Sequence, residues 1–127
     1  MEEFIMGSIK IKRIYDPYDE ADGNRILVDR LWPRGISKEK AQLTSWMKEL
    51  GPSNELRKWF GHKPELFEEF RMKYVQELHG DNTKIEKLKE LCRLTEDSNV
   101  TLLYAATDQD FNNAVVLKEE LLLYINK

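Results

Sequence analysis

Two short, continuous apolar runs constrain the fold more than any other feature of this sequence. They are RILVD at 25–29 and NVTLLYAA at 99–106, and each is followed by a polar loop and then by a helical pattern. Uninterrupted apolar runs of this length are typical of interior strands in parallel sheets, which are covered on both faces. The sequence therefore predicts an α/β fold, with a small, largely parallel sheet of about three to four strands flanked by about five helices.

The composition fits a single cytoplasmic domain. The 127 residues carry a net charge of −3 and are 41% hydrophobic, which predicts one domain over 1–127, with 1–7 as a flexible N-terminal extension. The lone Cys92 and the absence of an export signal or long apolar span predict a reducing cytoplasm and no membrane contact. The acidic charge disfavours nucleic acid as a partner. With only two histidines and one cysteine, and no phosphate-binding glycine loop, we predict no metal and no cofactor.

The first strand is predicted at the edge of the sheet. SIKIKRIY at 8–15 alternates apolar and basic residues, as half-exposed strands do. The loop that follows is short for a helical crossover, which favours an antiparallel second strand. The orientation of the first strand stays open at this point.

A long helix is predicted after the loop DRLWPRG at 29–35. Ser37 is a suitable N-cap, and Leu43, Trp46, Met47 and Leu50 follow at a spacing that forms one apolar stripe. Gly51 and Pro52 would end this helix.

Four further helices are predicted, three of them from capping residues. Ser53 would cap a short helix through 54–60, and a longer helix beyond Pro64 carries Phe67, Phe70, Tyr74 and Leu78 on one face. Thr83 and Glu86 have the spacing of a capping box. Asp108 or Asp110 would cap the last helix.

The last helix carries more apolar surface than one sheet contact requires. Ala114, Leu117, Leu121 and Ile125 share one face, and Val115, Val116, Leu122 and Leu123 lie on others. Two explanations stay open, a deeply buried helix or a homodimer interface.

Polar side chains follow both interior strands where each strand ends. Asp29, Arg30 and Arg34 follow the first strand, and Asp108 and Asn112 follow the second. Open α/β sheets bind ligands beyond the carboxyl ends of their strands, and arginine holds carboxylates and phosphates bidentately. The sequence therefore predicts a site for an anionic small molecule, such as a phosphate or a carboxylate, at this edge.

The predicted site has two classes of residue. The ligand-binding candidates are Arg30, Trp32, Arg34, Arg57, Trp59 and Asn112. The candidates for proton transfer, should the protein be an enzyme, are His62, Asp29 and Asp108.

Two other interpretations remain open. In the first, Asp29 pairs with Arg30 or Arg34, and Glu77 with Arg57 or another arginine, in a purely structural ion-pair network. The function would then lie at the C-terminal helix as an interaction surface. In the second, the same arginines and tryptophans, with three basic residues of the first strand, form a regulatory module that binds nucleic acid or protein.

Four long strings in a fixed order resemble the YeaO-like family, domain of unknown function 488. They are IKRIYDP, DGNRILVDRLWPRGISKEKA, PSNELRKWFGHKPELFEEFRMKYVQEL and VTLLYAATDQDFNNAVVLKE. The resemblance implies a small cytoplasmic α/β protein and brings no established activity. Among the matching positions, we predict structural or supporting roles for Tyr15, Tyr74, Glu77 and Tyr104. The chain departs from the family pattern at Thr107, where lysine is usual, and at Phe111, where histidine is frequent.

Overall fold

A four-stranded parallel sheet forms the centre of the computed structural model, which describes residues 7–126. Its strands are β1 (Ile9–Arg13), β2 (Asn24–Leu27), β3 (Ser45–Trp46) and β4 (Val100–Tyr104), in the order β1-β4-β2-β3. Every neighbouring pair is parallel. The predicted α/β single-domain fold, with its small parallel sheet, is confirmed. The predicted N-terminal extension lies outside the described residues except for Gly7, whose N–H donates to the carbonyl of Thr95.

The antiparallel orientation favoured for β2 relative to β1 is wrong. β4 lies between the two strands and pairs in parallel with each of them. The chain from 14 to 23 therefore returns to the edge of the sheet at which the strands begin. This connection contains one 3-10 turn, Glu20–Asp22, and no α-helix. A connection between parallel strands must run back along the whole length of a strand, and an extended chain covers that distance without a helix.

The long helix predicted after Ser37 is also wrong. Ser37 does cap a helix, α1, but this helix covers only Lys38–Ala41 and ends at Gln42 in a left-handed conformation, φ 45°. The next residues form β3 on the free edge of β2, and a 3-10 turn, Lys48–Leu50, follows. Met47 and Leu50 are buried as their spacing implied. Ladder hydrogen bonds to an unpaired strand edge override a helical apolar pattern in so short a segment.

Four longer helices complete the described fold. They are α2 (Asn54–Phe60), α3 (Phe67–His79), α4 (Asn82–Leu94) and α5 (Asn113–Ile125), with a 3-10 turn, Pro64–Leu66, before α3. One face of the sheet packs on α3, α4 and α5 in a large apolar core that includes Phe70, Leu88, Leu102 and Leu117. A smaller cluster, which includes Leu27, Ala41 and Leu103, covers the other face. The predicted number of about five helices is confirmed.

Two of the predicted caps are misplaced. The side chain of Asp81, not Thr83, accepts from the first free N–H groups of α4. The side chain of Asn112, not Asp108 or Asp110, caps α5 by accepting from Val115 at 3.0 Å. Asp108 is instead used one turn earlier, where its Oδ1 accepts from two backbone N–H groups of its own loop.

The final helix buries one face and leaves an apolar strip outside. Leu117 and Leu121 are fully buried in the core. Leu122 and Leu123 are 40% and 63% exposed, so burial alone does not account for all its apolar residues, and the homodimer interface stays a prediction. No helix within residues 7–126 has the length and apolarity needed to cross a membrane.

Candidate functional site

A cavity of about 280 Å³ opens where β2 and β4 end. Its walls come from the loops after β1, β2 and β4, from the residues around α2, and from the start of α5. The lining residues are Tyr15, Asp29, Arg30, Leu31, Trp32, Pro33, Arg34, Pro52, Arg57, Phe60, His62, Phe70, Ala105, Ala106, Asn112 and Asn113. The carboxyl edge of a parallel sheet is where ligands bind in open α/β folds.

Asp29 connects the ends of the two interior strands. Its Oδ2 accepts from the backbone N–H of Ala105 at 2.9 Å, and its Oδ1 accepts from Nδ2 of Asn113 at 3.1 Å. Burial raises the pKa of the Asp29 carboxyl, while these two hydrogen bonds and the nearby His62 and Arg57 partly oppose that rise. Asp29 is thus a half-buried hydrogen-bond acceptor in the wall of the cavity. Hydrogen bonds, rather than an ion pair, hold its carboxylate in place.

The predicted ion-pair network is absent from residues 7–126. No salt bridge there joins Asp29 or Glu77 to an arginine. Glu77 instead accepts from the backbone N–H of Ser53 at 2.9 Å and from its hydroxyl at 2.5 Å. The Glu77 carboxylate, on the apolar face of α3, therefore finds both of its hydrogen-bond donors in Ser53 at the start of α2.

Arg30 is held by backbone carbonyls. Its Nε donates to Pro52 at 3.0 Å and its Nη2 to Gly51 at 3.1 Å. These contacts hold the guanidinium between the cavity and an outer groove, which Arg30 lines together with Ser53, Trp59, Lys73 and Glu77. Carbonyl oxygens accept from two of its nitrogens but leave its positive charge without an acidic partner.

Arg34 and Arg57, which we call the arginine rim, line the cavity and are exposed. Within the described chain, their guanidinium groups form no hydrogen bond and no salt bridge. The backbone of Arg34 is nevertheless anchored, because the hydroxyl of Tyr15 donates to its carbonyl at 2.8 Å. Two unpaired cations at the opening of a cavity are available for an anionic ligand.

His62 reaches the cavity from a left-handed backbone conformation. Its φ is 58°, directly after Gly61 at φ 55°. Such a conformation is uncommon for a residue with a Cβ and occurs often at functional sites. The ring lies 6.3 Å from that of Phe60, centroid to centroid.

Trp32 is a rigid wall of the cavity. Its Nε1 donates to the carbonyl of Ile36 at 2.6 Å, and its ring contacts Trp46 edge to face, with 5.3 Å between centroids. Trp46 in turn donates from Nε1 to the carbonyl of Asp29 at 2.8 Å. The sequence does not reveal this role, because the apolar spacing around Trp46 favours a helix.

Several predicted site residues lie outside the cavity lining. Trp59 lies in the outer groove, where Nζ of Lys73 is 4.1 Å from its ring centroid. Tyr74 is fully buried and donates its hydroxyl to the carbonyl of Leu50; burial raises its pKa well above the ordinary value. Tyr104 is buried at the end of β4, which also raises its pKa.

The start of α5 contributes two asparagines, of which only Asn112 is among the predicted site residues. Asn112 lines the cavity, but its Nδ2 donates to the carbonyl of Asp108 at 2.8 Å and its Oδ1 caps α5. Asn113 supports Asp29 and also donates to the carbonyl of Val28 at 3.1 Å. An asparagine directly before an apolar helical run is the sequence signal for the N-cap role of Asn112, whereas the hydrogen bonds of Asn113 depend on tertiary packing.

Neither of the two departures from the family pattern lines the cavity. Thr107 is exposed in the loop after β4, and Phe111 packs edge to face on Phe67, with 5.1 Å between centroids. Among residues 7–126, no group of three or more His, Cys, Asp or Glu side chains is placed to hold a metal ion. The side chains that line the cavity are three arginines, one carboxylate, one imidazole, two asparagine amides, aromatic rings and small apolar groups.

Comparison with known proteins confirms the family that the four strings resemble. A family model described as the inactive DUF488-N3 subclade matches residues 8–127. The chain is 43% identical over 114 residues to the uncharacterized protein YeaO of Escherichia coli. The matched region covers 90% of this chain and 96% of the E. coli protein. It is 41% identical over 113 residues to the uncharacterized protein Rv3073c of Mycobacterium tuberculosis, and the matched region covers 89% of this chain and 92% of that protein. No solved structure gives a significant match. This chain therefore belongs to the YeaO-like DUF488 proteins, within the subclade described as inactive.

Proposed function

We propose that this protein binds a small organic anion, a carboxylate or a phosphate, in the cavity at the carboxyl edge of its sheet, without catalysing its conversion. The observation that carries the proposal is the arginine rim, which is unpaired and exposed at a cavity opening. Charged hydrogen bonds to an anion would satisfy both guanidinium groups.

The absence of catalysis is proposed from the site and from the family. The description of the matching subclade as inactive favours binding over turnover. The two carboxylates predicted to transfer protons also have structural partners: Asp29 holds the ends of β2 and β4, and Asp108 holds its own loop. His62 would then contact the ligand as a hydrogen-bonding group rather than as a catalytic base.

The regulatory module that binds nucleic acid receives less support. Lys10 donates to the carbonyl of Ala21, and Lys12 pairs with Asp22. Arg13 donates from Nε and Nη2 to two backbone carbonyls in the loop after β4. These three basic residues of β1 hold the fold together, which leaves few free charges on that strand for phosphates.

The test is a thermal-shift and calorimetric titration with phosphate, acetate and benzoate. Binding to the folded state raises the melting temperature by mass action. At a ligand concentration 100 times Kd, it increases the free energy of unfolding by about 2.7 kcal/mol. A charged hydrogen bond contributes about 1.5–3 kcal/mol, so Arg57→Gln and Arg34→Gln are each expected to weaken binding roughly 10- to 100-fold.

Lys58→Gln is the matched control, since it removes one positive charge from the same helix, outside the cavity. It should leave affinity nearly unchanged. Equal weakening in Lys58→Gln and Arg57→Gln would reduce the effect to net charge and contradict the proposal. The absence of binding by all three anions would contradict it directly. A short oligonucleotide is titrated alongside them, and its tighter binding would favour the nucleic-acid interpretation.

A further inference from the structure

The cavity offers far more apolar wall than a bare anion can use. Trp32, Pro33, Pro52, Phe60 and Phe70 all line it. Its volume of about 280 Å³ is close to the lower end of the ~300–1,000 Å³ found for small-molecule sites. A phosphate or acetate ion at the arginine rim would leave this apolar surface in contact with water. The ligand therefore needs an organic body.

The shape of that body follows from walls that are rigid and flat. The ring of Trp32 is fixed by its hydrogen bond to Ile36 and by its edge-to-face contact with Trp46. Phe60 stacks on Phe70, with 4.4 Å between centroids and 21° between planes. Aromatic side chains held in this way prefer stacked or edge-to-face partners, so they favour an unsaturated ring over a puckered one of equal size.

Asp29 adds a second polar requirement, distinct from the arginine rim. Each of its oxygens accepts one hydrogen bond from the protein, Oδ2 from Ala105 and Oδ1 from Asn113. A carboxylate has about four acceptor sites, so capacity remains on the cavity side. A ligand that displaces water from this carboxylate without a replacement donor loses affinity. The ligand is therefore expected to present an N–H or O–H group to Asp29.

We infer that the ligand class is a planar, ring-bearing acid that carries a hydrogen-bond donor away from its acidic group, as hydroxy- and amino-substituted aromatic carboxylates do. The acid lies at the arginine rim, the ring lies between Trp32 and the Phe60–Phe70 pair, and the donor meets Asp29. This inference rests on the proposed function, because it assigns the anionic end of the ligand to Arg34 and Arg57.

The experiment compares four carboxylates on the unmodified protein, by calorimetry at neutral pH. Benzoate against cyclohexanecarboxylate tests planarity at equal charge and similar size, and benzoate is expected to bind about 3- to 10-fold more tightly, as an aromatic contact would provide. Para-hydroxybenzoate against para-methoxybenzoate tests the donor, and the hydroxy compound is expected to bind at least fivefold more tightly because its methyl ether cannot donate. All four probes are used on wild-type protein, so the result does not depend on the folding of a variant.

The outcomes separate this inference from the proposed function. If all four carboxylates and inorganic phosphate bind with similar affinity, and Arg57→Gln weakens them all, then the anion site stands and the ligand class assigned here is overturned. If the hydroxy and methoxy compounds bind equally, the role of Asp29 in recognition is overturned. If no anion binds, the proposed function fails and the inference fails with it.

Discussion

Replacing Asp22 by alanine is expected to destabilise this protein strongly, because the change leaves a buried guanidinium without its acidic partner. Nη1 of Arg25 lies 2.5 Å from Oδ2 of Asp22, and the two side chains are only 2% and 4% exposed. The guanidinium is also held by the carbonyl of Ala41, which accepts from Nε and Nη2 at 3.2 and 2.9 Å. Arg25 therefore has no short route to solvent when its partner is removed.

The magnitude follows from this burial. Breaking a buried pair by removal of one partner costs about 3–5 kcal/mol, whereas a whole domain is stable by about 5–15 kcal/mol. At a urea dependence of about 2 kcal/mol per molar, the unfolding midpoint of Asp22→Ala should fall by roughly 1.5–2.5 M. Equilibrium unfolding in urea, followed by circular dichroism, measures this shift.

Lys12→Ala is the matched control, since it removes the other cation from the same carboxylate. Lys12 lies 3.0 Å from Oδ2 of Asp22, but its side chain is 20% exposed and can be solvated. Its loss should cost under about 1 kcal/mol. Equal losses in Lys12→Ala and Asp22→Ala would refute the argument that burial, rather than the number of charges, sets the energy.

The same carboxylate predicts acid sensitivity. Burial alone would raise the pKa of Asp22, but the hydrogen bonds from Lys12 and Arg25 outweigh burial and hold the pKa below its ordinary value. A group with a depressed folded-state pKa stabilises the protein above its unfolded value, about 3.9, and loses that contribution as the pH falls further. The stability difference between wild type and Asp22→Ala should therefore shrink below about pH 4.

Three further predictions concern the region of the cavity. Burial raises the pKa of the Asp29 carboxyl, so the folded state binds the proton of this carboxyl more tightly than the unfolded chain does. The stability of wild type relative to Asp29→Asn, measured by urea titration, should therefore fall as the pH rises above about 4. Tyr74→Phe leaves the carbonyl of Leu50 without its buried donor and should cost about 1–3 kcal/mol by the same assay; an unchanged midpoint would show that water replaces the hydroxyl. Gly51→Ala places a Cβ 2.4 Å from the backbone nitrogen of Arg30 and should lower the melting temperature by several degrees, and a variant as stable as wild type would show that the two loops separate freely.

The success and the failure of sequence reasoning are both visible around the loop that follows β2. Of the four residues in the predicted apolar stripe, Met47 and Leu50 are buried, whereas Trp46 is 36% exposed. Their element was predicted wrongly, because the spacing of a few apolar residues reports burial and not the hydrogen bonds of the backbone. The N–H groups of Thr44 and Met47 donate to carbonyls of β2 at 2.8 and 2.9 Å. Only the presence of that open strand edge explains why the chain leaves the helix at Gln42.

The sequence by itself determined the class of fold and the edge of the sheet at which its polar loop residues meet. Continuous apolar runs must be covered on both faces, which requires a parallel sheet with flanking helices, and polar residues after such strands must meet at one edge. Tertiary structure decided which partner each polar group has. Asp29 is bound by Ala105 and Asn113 rather than by an arginine, and Glu77 by Ser53. Those partners lie between 24 and 84 residues away along the chain, and hydrogen bonds over such separations depend on how helices and strands pack, which no local pattern specifies.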